Sequence, residues 1–190
     1  MQTEALTGGF AAAPTEAALA FRAVMRAMAR PGTIEQIMGA EPPPPLSPAA
    51  GAVLLTLCDP ETPLYLAGAV DTPMVRDWIT FHTGASLVDR PRAMFALGPW
   101  SALLPLADYP IGTAEYPDRA TTLIVEMAQL THTGARLTGP GIATTAALSL
   151  PPDMAAFQRN AAQFPLGLDF LFTSGHDLAA LPRSTRVEGQ

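Results

Sequence analysis

The sequence contains no lysine: all 11 basic residues among its 190 are arginine. A Schiff-base enzyme needs a lysine amine for its imine, whether with pyridoxal phosphate or with an aldolase substrate, and a P-loop needs one on its phosphates. Those classes are excluded, and no cofactor is expected. Cysteine is almost as scarce. Cys58 stands alone, so no intrachain disulfide can form, and neither the usual zinc set nor an iron–sulfur cluster can be assembled. The three histidines, at 82, 132 and 176, are too scattered for a local metal motif, so no metal is expected either.

Charge is sparse as well, at 15% of residues against a usual share of about 25%. With 48% of residues hydrophobic, the surface is under-charged, which favours a buried subunit interface. The net charge of −6 and the lack of a basic tail argue against nucleic acid as a partner. Long apolar runs are missing. The longest, residues 49–58, contains Gly51 and Thr56 and falls far short of the roughly 20 residues of a membrane-spanning helix. Residues 1–20 carry no positive side chain ahead of an apolar core, so no signal peptide is expected and the expected location is the cytoplasm. The length fits one domain over residues 1–190, able to bury a core without staples.

What is present is periodicity. Phe21, Val24, Met25 and Met28 recur at i, i+3, i+4 and i+7, which predicts one helix face buried in the core, each side chain contributing about 1.5–3 kcal/mol gross. Arg22, Arg26 and Arg30 recur every fourth residue on another face. Thr15 after Pro14 is the expected cap, and Pro31-Gly32 ends the helix. Residues 1–13 read as an arm anchored by Phe10. Residues 33–37 read as a short strand, and the prolines at 42–45 as a stiff spacer.

Ser47-Pro48 and Thr72-Pro73 are cap-plus-proline starts. The first opens a helix that is apolar nearly all round. The second opens one that buries Val75, Trp78 and Ile79 and stops at Gly84. Strands are expected at 64–67, twice within 85–98, at 121–127 as the centre of the sheet, at 135–138 as its neighbour, and last at 167–173. A short helical turn over 100–106 and a helix over 153–163, with Met154 and Phe157 inward, complete the chain. Strands alternating with short helices predict an α/β fold with a mixed central sheet flanked by helices.

Local chemistry is thin. Gly139-Pro140-Gly141 after a strand has the shape of an anion nest, but Pro140 removes one N–H and the spacing completes no dinucleotide fingerprint. Cys58 reads as a small buried hydrophobe, and a Cys58–His82 thiol–imidazole pair is the weakest alternative.

A set of landmarks nevertheless recurs in order. They are Phe21-Arg22 with Met28 and Arg30-Pro31-Gly32, Leu55-Thr56-Leu57 with Asp59 and Glu61-Thr62-Pro63, and Phe81-His82-Thr83. Gly139-Pro140-Gly141-Ile142, Phe164-Pro165-Leu166-Gly167 with Asp169, and Leu181-Pro182-Arg183 follow. From Phe10 to Val187 the chain resembles the PhnH family, the H subunits of bacterial carbon–phosphorus lyase systems.

The resemblance implies a fold similar to pyridoxal-phosphate-dependent transferases without the cofactor, and a homodimer. It also implies a complex with the G, I and J subunits, in which an alkylphosphonate displaces adenine from ATP to give a ribose 1-phosphonate 5-triphosphate. Subunit J, an iron–sulfur radical protein, later breaks the carbon–phosphorus bond. The resemblance assigns no catalytic residue. On its motif positions Arg22, Arg30, His82, Gly139, Gly141 and Arg183 are the candidate phosphonate- or ATP-binding residues. A subunit that contributes groups to the transferase step and a purely structural adaptor remain alternative readings.

Overall fold

In the computed structural model, which describes residues 6–189, local signals account for most helix starts. The Ser47 hydroxyl accepts the Ala50 N–H at 3.1 Å and opens α2 (Pro48–Leu57). Thr72 does the same for Val75 at 3.2 Å and opens α3 (Pro73–Thr83), which ends on Gly84 at φ +70°, a left-handed conformation that glycine adopts without a Cβ penalty. Asp153 caps α5 (Met154–Ala161) through Ala156, and α4 (Trp100–Leu103) is a single turn.

The first helix departs from expectation. It is α1 (Ala13–Ala29), with Thr15 inside it and Ala12 at the cap position. Glu16 supplies the missing polar contact by accepting the Ala12 N–H at 2.7 Å. Its buried face is also different. Ala20, Ala23, Val24 and Ala27 are buried, Met28 is half-buried, and Phe21 and Met25 remain 48% and 52% exposed. The reason is the partner. α1 packs on α2, whose contribution to the shared core is Ala49, Ala50, Ala52, Val53 and Leu54, and small side chains on both helices let the backbones approach closely. The expectation that Phe21 and Met25 are core is therefore corrected.

Nine strands among the described residues form two sheets. The larger runs in the order β1 (Glu35–Gln36), β8 (Asp177–Leu181), β7 (Asp169–Ser174), β4 (Thr122–Glu126), β3 (Phe95–Pro99) and β2 (Leu64–Leu66). β2, β3, β4 and β7 are mutually parallel, β8 runs antiparallel to them and β1 pairs antiparallel with β8, so the sheet is mixed. β4 is central, as its sequence predicts. The smaller sheet has the order β6 (Ala146–Leu148), β5 (Ala135–Thr138), β9 (Arg186–Glu188).

Three strand expectations change. β5 does not pair with β4 but is the middle strand of the second sheet, β7 is followed by a hairpin to β8 and then by β9, and residues 85–88 form only an isolated bridge from Leu87 to Leu64.

Both faces of the large sheet are covered, and alternation along each strand feeds two cores. Ile124, Leu171, Leu178 and Leu97 meet α1, α2 and α3 on one side. Leu123, Val125, Phe170 and Phe172 meet α5 and the small sheet on the other. There Phe157 of α5 anchors an aromatic group, its ring 4.9 Å from Trp100 and 5.1 Å from Phe170. No helix among the described residues is long and apolar enough to cross a membrane.

Candidate functional site

The most constrained of the six candidate residues is Arg183. Its Nε lies 3.2 Å from both oxygens of Asp169, its Nη2 2.5 Å from Oδ2, and its Nη1 donates to the Pro117 carbonyl. Asp169 also accepts the Arg183 backbone N–H at 2.8 Å. Each guanidinium nitrogen thus has an acceptor, and the two side chains are only 13% and 15% exposed. The pair clamps the start of β7 to the chain leaving β8.

Gly139 and Gly141 lie close to that chain and to the end of α1. A Cβ on Gly141, which sits at φ +81°, would collide with the Ala29 carbonyl oxygen, and one on Gly139 would stand 3.1 Å from the Ser184 carbonyl oxygen. The Gly139-Pro140-Gly141 turn is closed by the Ile142 N–H on the Gly139 carbonyl at 3.2 Å. Arg30, just past the helix end, is its neighbour. The Arg30 carbonyl accepts both the backbone N–H and the hydroxyl of Thr33, at 3.1 and 2.8 Å.

The fold therefore gathers Arg30, Gly139 and Gly141 beside the segment that follows Arg183. Arg22 is not among them. It is exposed, lies about 12 Å down the helix from Arg30, and carries no hydrogen bond or ion pair among the described residues. Arg26, between them, pairs with Glu35 at 2.7 Å, its Nη2 on Oε2.

His82 belongs to a separate neighbourhood. Its Nε2 lies 3.2 Å from the Thr7 carbonyl, so this nitrogen carries the hydrogen, and the Trp78 indole donates to the same carbonyl at 2.9 Å. The His82 ring packs on Trp78 at 4.9 Å, and a Cβ on Gly9 would collide with it. His82 thus fastens residues 7–9 to α3, at the rim of a cavity of about 360 Å³ lined also by Gly8, Phe10 and Leu55. Cys58 has no part in it. Burial pushes its thiol up to about 12, which leaves it protonated at neutral pH.

One polar group has no counterpart in the sequence reading. The Arg90 guanidinium lies 5.3 Å from the Tyr65 ring centroid and 5.9 Å from that of Tyr109. Its Nη1 meets Asp108 at 3.1 Å and its Nη2 donates to the Ala102 carbonyl at 2.8 Å, and the guanidinium also interacts with the Tyr65 and Tyr109 side chains. Burial raises the Tyr109 phenol to about 12, so it keeps its proton. Tyr65 also faces a cavity of about 390 Å³ along the outer edge of β2, whose other polar walls are Asp71, Arg76, Asp89 and Arg92. A larger, mostly apolar cavity of about 470 Å³ lies between residues 104–111 and α5, with Asp153, Arg159, Asn160 and Gln163 on its walls. No local motif signals the Arg90 group, because Tyr65, Arg90 and Tyr109 come from three separate segments. No group of three or more histidine, cysteine or carboxylate side chains placed for a metal occurs among the described residues.

Known proteins match the sequence of this chain over nearly its whole length. The family model described as bacterial phosphonate metabolism protein (PhnH) matches residues 8–188. The alpha-D-ribose 1-methylphosphonate 5-triphosphate synthase subunit PhnH of Rhizobium meliloti (strain 1021) is 38% identical over 196 residues, covering 98% of each chain. The putative C-P lyase subunit protein HtxG of Stutzerimonas stutzeri is 31% identical over 199 residues, covering 94% of each. With nearly its whole length matched by the family model and by both relatives, the chain belongs to the PhnH family of bacterial phosphonate metabolism proteins.

Proposed function

We propose that the chain is a subunit of a carbon–phosphorus lyase core complex and assists the formation of ribose 1-(alkyl)phosphonate 5-triphosphate from ATP and an alkylphosphonate. The observation that carries this is the correspondence with the Rhizobium meliloti synthase subunit, 38% identical over 98% of both chains. The proposed partners are the G, I and J subunits and a second copy of the chain, in the cytoplasm. The low charge and, among the described residues, eight large apolar side chains left exposed, Leu19, Phe21 and Met25 on α1 among them, support a partnered surface.

The architecture in this reading is that of a pyridoxal-phosphate transferase that has lost its cofactor, in keeping with the absence of lysine. The chain's role lies in the transferase step. Carbon–phosphorus cleavage falls to another subunit, because one buried cysteine cannot hold an iron–sulfur cluster. The adaptor reading draws its support from Arg183 and Gly141, two landmark residues engaged in holding the fold.

The test is genetic and biochemical. In a strain lacking its own H subunit and fed methylphosphonate as sole phosphorus source, the chain should restore growth and co-purify with G, I and J. Failure of both, with the chain folded and expressed, overturns the reading.

A further inference from the structure

We propose that the cavity of about 470 Å³ between α5 and residues 104–111 binds a small amphiphile, an oxyanion carrying a short alkyl chain, with Arg159 and Gln163 taking the anionic head. Leu104, Leu106, Ile111, Ala156 and Leu168 make most of its wall apolar, and the volume falls within the range of about 300–1,000 Å³ typical of small-molecule sites. Naming an alkylphosphonate as the ligand rests on the proposed function. The alkyl oxyanion chemistry does not.

Both sides of the cavity are fixed before any ligand arrives. α5 is pinned to the sheet by Phe157, whose ring lies 4.9 Å from Trp100 and 5.1 Å from Phe170. The facing segment is held along its length: Arg90 takes the Ala102 carbonyl at 2.8 Å and Asp108 at 3.1 Å, the Pro110 carbonyl accepts the Thr121 N–H at 2.9 Å, and the Ile111 carbonyl accepts the Gly167 N–H at 3.0 Å. A preformed apolar space loses little order when it is filled, so its surface can be used for affinity.

The polar groups on the wall divide by what they are already doing. Asn160 is fully engaged, its amide accepting the Leu168 N–H at 2.7 Å and donating to the Leu168 carbonyl at 2.8 Å, and Asp153 caps α5 through the Ala156 N–H at 3.0 Å. The Arg159 guanidinium and the Gln163 carboxamide have no hydrogen bond or ion pair among the described residues. Arg159 stands in the last turn of α5, where a cation complements the helix dipole, but a dipole takes up no hydrogen bonds, and the fork of N–H donors remains for a phosphonate or carboxylate. Asp153 and Arg159 are six positions apart, about 9 Å along the helix axis. The two charges give the cavity a polarity: the guanidinium draws the anionic head to its end, the carboxylate repels it from the other, and the alkyl chain lies between them over Ala156. Inorganic phosphate leaves the apolar wall unused, and a hydrocarbon leaves the guanidinium unused.

The experiment is NMR titration of the isotope-labelled full chain with methyl-, ethyl-, propyl- and butylphosphonate, pentanoate and inorganic phosphate, alongside Arg159→Gln, Ala107→Trp and, as a control, Arg136→Ala. Arg159 and Ala107 are exposed residues on the cavity wall, so both variants should keep the wild-type melting temperature, and Arg136 lies on the small sheet. Amide shifts should be confined to α5 and residues 104–111, with affinity rising about fourfold for each added methylene and no binding of phosphate there. Arg159→Gln should weaken butylphosphonate about tenfold, Ala107→Trp should block it, and the control should bind as wild type does. Butylphosphonate bound above pentanoate identifies the phosphonyl head, whereas equal binding of the two upholds the site and counts against phosphonate as its ligand. Affinity that ignores chain length, shifts that fall elsewhere, or an Arg159→Gln chain that binds unchanged overturns the site. So does a wild type that binds none of the series, even if growth on methylphosphonate is restored. The expected binding pattern in a chain that neither restores growth nor co-purifies with G, I and J leaves the site standing and overturns the proposed function.

Discussion

The carboxylate of Glu126 accepts the backbone N–H of Ser47 at 2.8 Å, so the last residue of the central strand holds the residue that caps α2. Its second oxygen takes the Thr173 hydroxyl at 3.1 Å, tying β7 into the same junction. A negative charge beside the free N–H groups of a helix start is favourable, yet burial opposes it, and burial wins: the carboxyl is held above the ordinary range for glutamate.

This sets a pH signature. A raised folded-state value means that the native state binds the proton more tightly than the unfolded chain. The contribution of Glu126 to stability is greatest at low pH, falls as pH rises from the usual glutamate value through the raised one, and is flat above. Glu126→Gln keeps an acceptor for Ser47 and should flatten that stretch of the curve, with stability at pH 7 equal to or above wild type. Urea unfolding across the acid-to-neutral range measures it. A variant with an unchanged slope shows that another group titrates there. Glu126→Ala, which orphans the Ser47 N–H, should cost about 1–3 kcal/mol.

Removing either member of the Arg183–Asp169 pair should be severe. Both are largely buried, and truncating one leaves the other charge uncompensated, a loss of about 3–5 kcal/mol. Asp169→Ala and Arg183→Ala should each lower the melting temperature strongly, and the double variant by much less than their sum. An Arg183→Ala chain of wild-type stability that fails to support growth on a phosphonate would show that the guanidinium serves a ligand instead.

Cys58 should be silent to thiol reagents. Its pKa of about 12 leaves essentially no thiolate at pH 8, and the side chain is buried. Ellman's reagent should report no fast-reacting thiol in the native chain and one on unfolding. Rapid native reaction would revive the thiol–imidazole alternative with His82.

The exposed side of α1 tests the proposed dimer. Light scattering should give twice the 19.9 kDa chain mass. Phe21→Ser with Met25→Ser should give a monomer of nearly unchanged melting temperature, because neither side chain is buried in the single chain. A wild type that is monomeric across micromolar concentrations removes the dimer.

On the same helix, Arg22→Ala and Arg26→Ala separate two uses of arginine. Arg26 already holds Glu35 at the surface, so its loss should leave growth on phosphonate unchanged. The Arg22 guanidinium, unpaired among the described residues, is suited to bidentate contact with a phosphate or carboxylate, so its loss should impair growth while the chain stays folded. Normal growth of Arg22→Ala makes that arginine a solvated surface residue.

What the sequence determined by itself was whatever a few consecutive residues decide. Ser47-Pro48 and Thr72-Pro73 start helices because the cap hydroxyl reaches an N–H three residues on, and Gly84 stops one because only its own backbone must turn. The continuous apolar stretch Leu123-Ile124-Val125 marks β4 as central because it must bury both faces.

Tertiary structure decided the rest. Periodicity predicted burial of the α1 face carrying Phe21, Val24, Met25 and Met28, but the face carrying Ala20, Ala23, Val24 and Ala27 is buried instead, because α2 presents small side chains at close range. β5 carries a strand pattern that fits either sheet, and its pairing with β6 and β9 depended on segments far along the chain. Arg183 looked available for an anion until folding brought Asp169 to it. The cluster of Arg90 with Tyr65 and Tyr109 exists only where three distant segments meet over one sheet edge, and no local pattern encodes that meeting.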